Sequence, residues 1–218
     1  NLRKLNYNVD TDFAPVAQLA QMPVLVAVNA ASPFHSVADL LKAARSGSID
    51  YASGGVGTLQ NIAGEYFNKL GHVKLKHIPY KGTAPAITDL IAGTVPVAFV
   101  DPAVSPHVAS GRLRLLAVTT GKRSRLYPET PTLDEAGVPG YDLFNWYGLV
   151  APRDTPKDVV EKMNAALAVV MAKPDIRKKM EDAGKEPAFS TPAHLGQLIS
   201  SEKKKWGEII KSAGIKGE

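Results

Sequence analysis

Several common functional groups are missing from this 218-residue chain. It contains no cysteine, which excludes disulfides, thiolate nucleophiles and zinc sites built on cysteine. No run approaches the roughly 18 apolar residues of a membrane-spanning helix, and Asn1 to Lys4 lead into a polar segment rather than the apolar core of a signal peptide. The five histidines show no spacing typical of a metal site. We therefore expect a chain without cofactor or metal that is cytosolic, processed or shortened at its start.

The composition is that of an ordinary globular protein, with 44% hydrophobic and 22% charged residues. The formal net charge is +5, which permits an anionic partner. The positive residues are scattered apart from two local groups, namely Arg112, Arg114, Lys122, Arg123 and Arg125 in the first and Lys203, Lys204 and Lys205 in the second. Neither group is interleaved with aromatic residues that stack on bases. We interpret both groups as solvated faces and predict no nucleic-acid partner.

Apolar periodicity predicts strands and helices in alternation through most of the chain. Strands are predicted at 24–28, 49–52, 74–79, 95–100 and 113–119. A capping-box pattern at Thr132 predicts a short helix that ends at Gly137, and an extended aromatic segment follows at 143–150. The remainder is predicted to be helical, with helices that begin at Pro156, Pro174 and Pro192. This order is typical of a layered α/β fold with a largely parallel sheet.

A glycine-rich corner joins a predicted strand to a predicted helix at Ser53-Gly54-Gly55-Val56-Gly57-Thr58. Thr58 or Ser53 is a candidate cap for that helix, and Gly71 is predicted to lie just beyond its end. The corner matches neither the dinucleotide fingerprint nor the phosphate-binding P-loop. It nonetheless combines small residues with the unpaired N–H groups and the positive dipole of a helix N-terminus, which suits an anion. The alternative is a tight turn that binds nothing.

Two more polar segments follow predicted strands, at Tyr80-Lys81-Gly82-Thr83 and at Asp101. Ligands of α/β sheets bind beyond the carboxyl ends of the strands, so three polar corners at one edge predict a site more strongly than one. Asp101 either pairs with an amino group of a ligand or caps the turn that follows it. Trp146 and Tyr147 either stack on a ligand or belong to the core or hinge. We expect bare backbone N–H groups at the first two corners to hold the ligand.

A catalytic function would need a nucleophile and a base at these corners. Ser53 is the candidate nucleophile of a small-molecule hydrolase, with a histidine as its base and Asp101 as the residue that orients the histidine. The Gly-x-Ser-x-Gly turn that presents such serines is absent, since Tyr51 and Ala52 precede Ser53. We therefore predict that the protein is not an enzyme.

Ordered blocks along nearly the whole chain resemble one family, the Bug-type solute receptors of tripartite tricarboxylate transporters. The early blocks are Asp12-Phe-Ala-Pro-Val, Tyr51-Ala-Ser-Gly-Gly-Val-Gly-Thr, His77-Ile-Pro-Tyr-Lys-Gly-Thr-Ala-Pro-Ala and Leu115-Leu-Ala-Val-Thr. The later blocks are Lys122-Arg-Ser, Pro131-Thr-Leu-Asp-Glu-Ala-Gly-Val-Pro-Gly-Tyr, Trp146-Tyr-Gly-Leu-Val-Ala-Pro and Lys205-Trp-Gly-Glu-Ile-Ile-Lys-Ser-Ala-Gly-Ile-Lys. So many blocks in the same order make the resemblance specific.

The resemblance implies a periplasmic-binding-protein fold of type II, an α/β fold with two lobes hinged around a cleft. Residues 1–24 would be a remnant of the first lobe, 25–147 the second α/β lobe with the glycine-rich corners, and 148–218 a mostly helical return to the first lobe. Family members also carry an early Pro-Phe-x-x-Gly-Gly-x-x-Asp loop, for which this sequence has no counterpart. We therefore expect the first lobe to be incomplete in this chain.

The function implied by the resemblance is that of a periplasmic solute-binding protein. It would capture a small carboxylic acid or amino acid for the membrane subunits of a transporter, and it would act as a monomer. Carried over, Ser53, Gly55, Gly57 and Thr58 would bind one end of the carboxylate, Tyr80, Lys81, Gly82 and Thr83 would line the same lobe, and Asp101 would border the cleft. The alternative is the effector-sensing domain of a transcription regulator, which shares the fold but needs an upstream helix-turn-helix.

Overall fold

The computed structural model describes residues 5–215, which form two compact units. The central unit comprises Pro23–Asn145 together with residues 213–215, and the terminal unit comprises residues 5–22 and Trp146–Ser212. Across residues 5–215, none of the helices combines the length and the apolarity that crossing a bilayer would require.

Strands and helices alternate over the central unit, and helices predominate after it. The strands are β1 (Phe13–Pro23), β2 (Leu25–Asn29), β3 (Ile49–Ser53), β4 (Leu75–Pro79), β5 (Val97–Val100), β6 (Leu113–Val118), β7 (Phe144–Pro152) and β8 (Glu186–Pro187). The helices are α1 (Val37–Ser46), α2 (Leu59–Gly71), α3 (Thr83–Ala92), α4 (Ser105–Ala109), α5 (Lys157–Met171), α6 (Pro174–Asp182) and α7 (Pro192–Ala213). A short 3-10 turn, Pro102–Val104, precedes α4.

The five-stranded sheet of the central unit has the order β4-β3-β5-β2-β6. Strand β3 is parallel to its neighbours β4 and β5, whereas β2 is antiparallel to β5 and β6. The prediction of a largely parallel sheet is therefore wrong, because the sheet is mixed. Residues Leu25 to Val28 of β2 are all buried, and such a run fits a central strand that is covered on both faces. The apolar pattern alone does not encode the direction of the strand.

Helices α2 and α3 cover opposite faces of this sheet. Adjacent residues of a strand point to opposite faces, and Tyr51 and Ala52 of β3 divide in this way. Tyr51 packs under α2 and makes an edge contact with Phe99, at 5.5 Å between ring centroids. Ala52 belongs to an aliphatic cluster with Ile87 and Leu90 of α3. One face is consequently aromatic, and the other is aliphatic.

Both ends of α2 depend on side chains. Thr58, one of the two predicted caps, is the N-cap, and its Oγ1 accepts a hydrogen bond from the N–H of Asn61. At the other end the left-handed residue is His72, with a φ of 51°, so the prediction of Gly71 in that role is wrong. Gly71 is the last helical residue instead. A Cβ there would lie 2.9 Å from Leu41 Cδ2, so a side chain would obstruct the approach of α2 to α1.

Asn68, near the end of α2, holds the start of β4. Its Nδ2 donates to the carbonyl oxygen of Leu75 at 3.0 Å, and its Oδ1 accepts from the N–H of Leu75 at 2.8 Å. Both backbone polar groups of Leu75 are thus paired with one side chain. The two hydrogen bonds join Asn68, before the turn at His72, to Leu75 after it. The positive φ of His72 is uncommon for a residue with a side chain.

The capping-box segment that begins at Thr132 forms turns rather than the predicted helix. Both hydrogen bonds of the box are present, since Thr132 Oγ1 accepts from the N–H of Glu135 and Glu135 Oε2 accepts from the N–H of Thr132. The N–H of Leu133 donates to Val118 O, which ties the segment to the end of β6. Gly137, with a φ of 103°, then departs from helical geometry. Contacts with a distant strand thus limit the segment to turns.

The terminal unit has a three-stranded sheet of order β7-β1-β8 and the helices α5, α6 and α7. Helix α6 begins at Pro174 and α7 at Pro192, as predicted, whereas α5 begins at Lys157 after its N-cap Pro156. The C-terminal segment is not wholly helical, because the two-residue strand β8 pairs with β1. So short a strand has no periodicity that a sequence pattern detects.

Candidate functional site

Two loops that connect strands to helices in the central unit lie against each other. They are the first corner (residues 53–58), between β3 and α2, and the second corner (residues 80–83), between β4 and α3. Two backbone hydrogen bonds join them, from Tyr80 N to Ser53 O at 3.1 Å and from Gly82 N to Gly54 O at 3.0 Å. Gly54 faces Thr83, since a Cβ at Gly54 would lie 3.4 Å from Thr83 N. The parallel pairing of β3 with β4 brings both corners to one edge of the sheet.

The first corner uses side chains to hold two of its N–H groups. The N–H of Gly55 donates to Ser53 Oγ at 3.2 Å, and the N–H of Gly57 donates to Asn61 Oδ1 at 3.0 Å. Both glycines have positive φ angles, of 131° and 71°, which glycine adopts readily. Thr58 Oγ1 donates to Gly55 O at 2.7 Å and closes the loop. The expectation of bare N–H groups at Gly55 and Gly57 is therefore not met, because each is engaged within the corner.

Other N–H groups of the two corners remain open. Within residues 5–215, those of Gly54, Val56 and Thr83 donate to no acceptor. No side chain caps α3, whose N-cap is Gly82 with a φ of 108°. The first N–H groups of a helix lack intrahelical partners and lie at the positive end of its dipole. These open groups are the ones to which an anion can bind.

Asp101, which follows β5, lies beside the second corner. Thr83 Oγ1 donates to Asp101 Oδ2 at 3.1 Å, and the N–H of Ala103 donates to Asp101 Oδ1 at 3.0 Å. Asp101 is therefore the cap of the 3-10 turn that follows it, which is one of the two roles predicted for it. Its contact with Thr83 brings the ends of β3, β4 and β5 together.

Tyr80 and Lys81 of the second corner have different environments. The hydroxyl of Tyr80 donates to Asp89 Oδ2 of α3 at 2.7 Å, and its ring packs against the aliphatic face of the sheet. Burial, followed by the hydrogen bond to Asp89, raises the pKa of Tyr80 to about 12. Lys81 is exposed. Tyr80 thus supports the corner through α3, whereas Lys81 faces solvent.

A polar network lies behind the first corner, on the α2 face of the sheet. Ser53 is fully buried, and its Oγ lies 2.7 Å from His77 Nε2. His77 Nδ1 lies 3.2 Å from Asn61 Nδ2, which also donates to the hydroxyl of Tyr51 at 2.9 Å. That hydroxyl donates to Glu65 Oε1 at 2.7 Å, and the Tyr51 ring stacks on His77 at 4.9 Å between centroids. Side chains from β3, β4 and α2 thus form one connected network.

The hydrogen bond from Gly57 fixes the positions of the protons in this network. A backbone N–H only donates, so the Asn61 atom that faces Gly57 is the oxygen, and the atom that faces His77 is the nitrogen of the NH2 group. His77 Nδ1 therefore accepts, and Nε2 carries the ring proton and donates to Ser53 Oγ. Burial lowers the pKa of His77, and the charge of Glu65 opposes that shift. The ring is consequently a neutral donor to Ser53.

The structure contains only part of the Ser53–His–Asp101 arrangement that a hydrolase would need. Ser53 and His77 lie within hydrogen-bond distance, but both ring nitrogens are engaged and neither is placed to remove the serine proton. Asp101, the predicted orienting residue, bonds to Thr83 and Ala103 instead. In the described part of the chain, no three His, Asp or Glu side chains converge to hold a metal ion. The arrangement is therefore suited to anion binding and not to nucleophilic attack.

Asn61 and His77, which hold the first corner, are not among the site residues predicted from the sequence. Asn61 is the third residue of α2, where a capping box has Glu or Gln, and it is buried. Its position three residues after Thr58 is visible in the sequence, whereas its burial is not. His77 gives no such signal, since its pairing with Tyr51 depends on the register of β3 and β4.

Comparison with protein families and curated proteins gives a consistent match. The family described as tripartite tricarboxylate transporter family receptor matches residues 1–215. The protein described as UPF0065 protein in the tcbD-tcbE intergenic region, from Pseudomonas sp. (strain P51), is 37% identical over 212 residues. The match covers 95% of this chain and 63% of that protein. The chain thus spans just under two thirds of the length of this relative.

Two solved structures resemble the chain over almost all of its length. The R. palustris protein Rpa4515, described with adipate, is 34% identical with a TM-score of 0.83, and the match covers 99% of this chain and 73% of that one. The periplasmic binding protein BugD is 29% identical with a TM-score of 0.78, and the match covers 97% of this chain and 73% of that one. These similarities confirm the predicted fold class, the α/β fold of type II periplasmic binding proteins.

Proposed function

The chain belongs to the family of tripartite tricarboxylate transporter receptors, and from this premise we propose that it binds a small carboxylated metabolite at the two glycine corners of its central unit. The ligand is a carboxylic acid or an amino acid, which the protein presents to the membrane subunits of a transporter. The family is described as one of receptors, which agrees with the prediction that the protein is not an enzyme.

The proposal is carried by one observation, the open N–H groups that the two corners present side by side. In the described part of the chain, the N–H groups of Gly54, Val56 and Thr83 have no acceptor. Glycine at position 54 leaves the N–H of Thr83 accessible, since a methyl group there would lie in contact with it, 3.4 Å from Thr83 N. Exposed Lys81 adds a positive charge to the second corner. A carboxylate that accepts from these donors satisfies groups for which residues 5–215 supply no acceptor.

The free energy available from these donors reaches the value that binding needs only in the upper part of its range. Micromolar affinity requires about −8 kcal/mol. Each hydrogen bond to a charged group contributes about 1.5–3 kcal/mol, so three N–H groups together supply about 4.5–9 kcal/mol before ordering costs. The N-terminus of α3 adds about 0.3–1 kcal/mol. Either corner alone falls short of the requirement, which is why the proposal needs both.

Similar proteins support the ligand class and the location. Rpa4515 is described with adipate, which is a dicarboxylate, and BugD is described as a periplasmic binding protein. The net charge of +5 favours an anionic ligand or partner. We extend the proposal to a periplasmic protein that acts as a monomer and without nucleic acid.

Exchange of Gly57 tests the first corner. Its φ of 71° is one that Asn and Asp tolerate better than other residues with a side chain. Gly57→Asp places a negative charge at the start of α2, where it stabilises the helix but repels a carboxylate. We expect Gly57→Asp to weaken binding of the best ligand among adipate, succinate and glutamate by about tenfold or more, which corresponds to about 1.4 kcal/mol.

The neutral Gly57→Asn, which has the same shape, is the matched control and should keep its affinity within about threefold of the parent. Isothermal calorimetry measures the affinities, and circular dichroism establishes that both variants fold. Undiminished affinity in Gly57→Asp would contradict the placement of the ligand at this corner. Absence of binding by the parent protein to every acid of the panel would contradict the carboxylate proposal.

A further inference from the structure

We propose that His77 and Asn61 are positioning residues for the first corner, which they hold in its ligand-binding shape only while the imidazole of His77 is uncharged. Both act from behind the corner, through Ser53 and Gly57. This inference rests on the proposed carboxylate site and adds to it a dependence on pH. Protonation of His77 disturbs the corner and releases the ligand.

Two chains of hydrogen bonds connect the imidazole to the backbone of the corner. From Nε2 the chain passes through Ser53 Oγ, 2.7 Å away, to the N–H of Gly55 at 3.2 Å. From Nδ1 it passes through the Asn61 amide, 3.2 Å away, to the N–H of Gly57 at 3.0 Å. Each of the positive-φ glycines of the corner is thus attached to one nitrogen of the ring.

A proton on Nδ1 is incompatible with this arrangement. Asn61 Nδ2 is itself a donor, so protonation would set two N–H groups against each other across 3.2 Å. Relief requires the amide to turn its oxygen towards the ring, and the N–H of Gly57 then loses its acceptor. Asn61 is only 3% exposed, so solvent is poorly placed to supply another. The shape of the corner is therefore coupled to the charge of His77.

The surroundings of the imidazole keep it neutral at neutral pH. Strand β3 contributes Tyr51, which stacks on the ring, and α2 contributes Asn61 and Glu65. Glu65 is the charged group among these, and its two carboxylate oxygens accept from Tyr51 and Asn68. Burial lowers the pKa of His77 from the ordinary value of 6.5, and Glu65 offsets only part of that shift. The ring is consequently protonated at a lower pH than an ordinary histidine.

The sign of the pH dependence follows from this placement. The ligand favours the neutral ring, so its affinity should be highest where the ring is neutral and should fall as the pH decreases through the pKa of folded His77, which lies below its ordinary value. Between about pH 7.5 and pH 5 we expect the parent protein to lose affinity for the best acid of the panel, and to lose more than a variant without an ionisable group at this position.

His77→Gln keeps a side-chain N–H for Ser53 Oγ but has no ionisable group. Its affinity should change by less than about twofold over the same pH range. His35→Gln, at an exposed histidine outside the network, is the control and should retain the profile of the parent. A parent-like pH profile in His77→Gln would overturn the inference.

Asn61→Asp distinguishes positioning from a purely structural role. The aspartate keeps an acceptor for the N–H of Gly57 but presents a carboxylate oxygen to Nδ1, which favours the charged ring. We expect the pKa of His77 to rise, while acidification should lower the affinity less than in the parent, because the charged ring no longer draws the acceptor away from Gly57. If Asn61 only stabilised the fold, the affinity would fall on acidification by as much as in the parent.

Nitrogen-15 NMR of the ligand-free protein tests the network without reference to any ligand. At about pH 7.5 we expect His77 to carry its proton on Nε2, and on acidification the amide signal of Gly57 should shift together with the imidazole. A proton on Nδ1, or a Gly57 amide that does not follow the ring, would overturn the inference whether or not an acid binds. The expected NMR result without binding of any acid would instead refute the proposed function.

Discussion

The two corners of the central unit have the same order of elements but are held by different forces. The first leads into α2, on the aromatic face of the sheet, and hydrogen bonds through Asn61 and His77 fix it. The second leads into α3, on the aliphatic face, where Ile87 and Leu90 pack beneath it. A strand–glycine–helix pattern therefore indicates where a corner forms but not what holds it.

Because the two corners are held by different interactions, they should also respond differently to pH. Burial of aliphatic side chains is non-directional and involves no proton. A buried polar network is directional, and its strength depends on every member being satisfied. In our proposal the first corner is the part of the site that changes with the charge of His77, whereas the second adds hydrogen bonds of Tyr80 to Asp89 and of Thr83 to Asp101 to its aliphatic packing. Substitutions on the two faces should separate these contributions.

Truncation of Leu90, on the aliphatic face, should have the largest effect. Leu90 is fully buried, and Leu90→Ala should lower the free energy of unfolding by about 2–5 kcal/mol. The loss, measured by urea denaturation, should be the same above and below pH 6.5, because the buried members of the cluster carry no ionisable group. Thr88→Ala, at an exposed position of the same helix, should change stability by less than about 0.5 kcal/mol. If the loss of unfolding free energy in Leu90→Ala varied with pH, the aliphatic face would not differ from the aromatic face in its response to pH.

A methyl group at Gly64 should have a smaller effect, on the aromatic face. A Cβ there would lie 2.2 Å from Tyr51 Cε2, so the ring or α2 must move. Overpacking of this kind costs about 1–3 kcal/mol, and the displaced Tyr51 would loosen its bond with Asn61. We therefore expect Gly64→Ala to reduce both the free energy of unfolding and the affinity for the acid.

Gly47→Ala is the matched control for that substitution. No atom of the described residues lies within 4 Å of the added methyl group, and the φ of −166° is open to any residue. Denaturation and calorimetry of both variants make the comparison. Equal losses in Gly64→Ala and Gly47→Ala would indicate that the contact with Tyr51 does not limit the packing of α2.

Removal of the N-cap of α2 should have the smallest effect of the three. Thr58→Ala deletes the oxygen that accepts from the N–H of Asn61, and a lost cap of this type costs about 1 kcal/mol. Thr58→Ser keeps that oxygen and should unfold at nearly the same urea concentration as the parent. Helix α3 has no equivalent side chain to remove, because its cap is Gly82. If Thr58→Ser lost as much free energy of unfolding as Thr58→Ala, the methyl group of Thr58 rather than its capping oxygen would stabilise the helix.

Sequence signals that act over a few residues predicted the ends of elements well. Thr58 caps α2 and Pro174 begins α6, and both roles involve only the residues that follow. Gly71 was misassigned because its small size serves a contact with Leu41, which is distant in the sequence. The direction of β2 was missed for the same reason, since its partners β5 and β6 lie far along the chain.

For the candidate site, the sequence identified the corners but not their support. The succession of strand, glycine and helix was enough to predict residues 53–58 and 80–83 as parts of a ligand-binding site. The engagement of the Gly57 N–H by Asn61 required knowledge of side-chain direction, and the contact of Ser53 with His77 required the register between two strands. Contact of the predicted residues with a ligand stays a prediction.

Strand β4 lies at the border of the five-stranded sheet, where unpaired backbone groups would be available to a strand of another molecule. Asn68 occupies both such groups of Leu75 with the two ends of its amide, in the manner of a neighbouring strand. One side chain thereby makes two backbone groups at this edge unavailable to a strand of another molecule. The residue that connects the two sides of the turn after α2 thus also limits strand pairing at the start of β4.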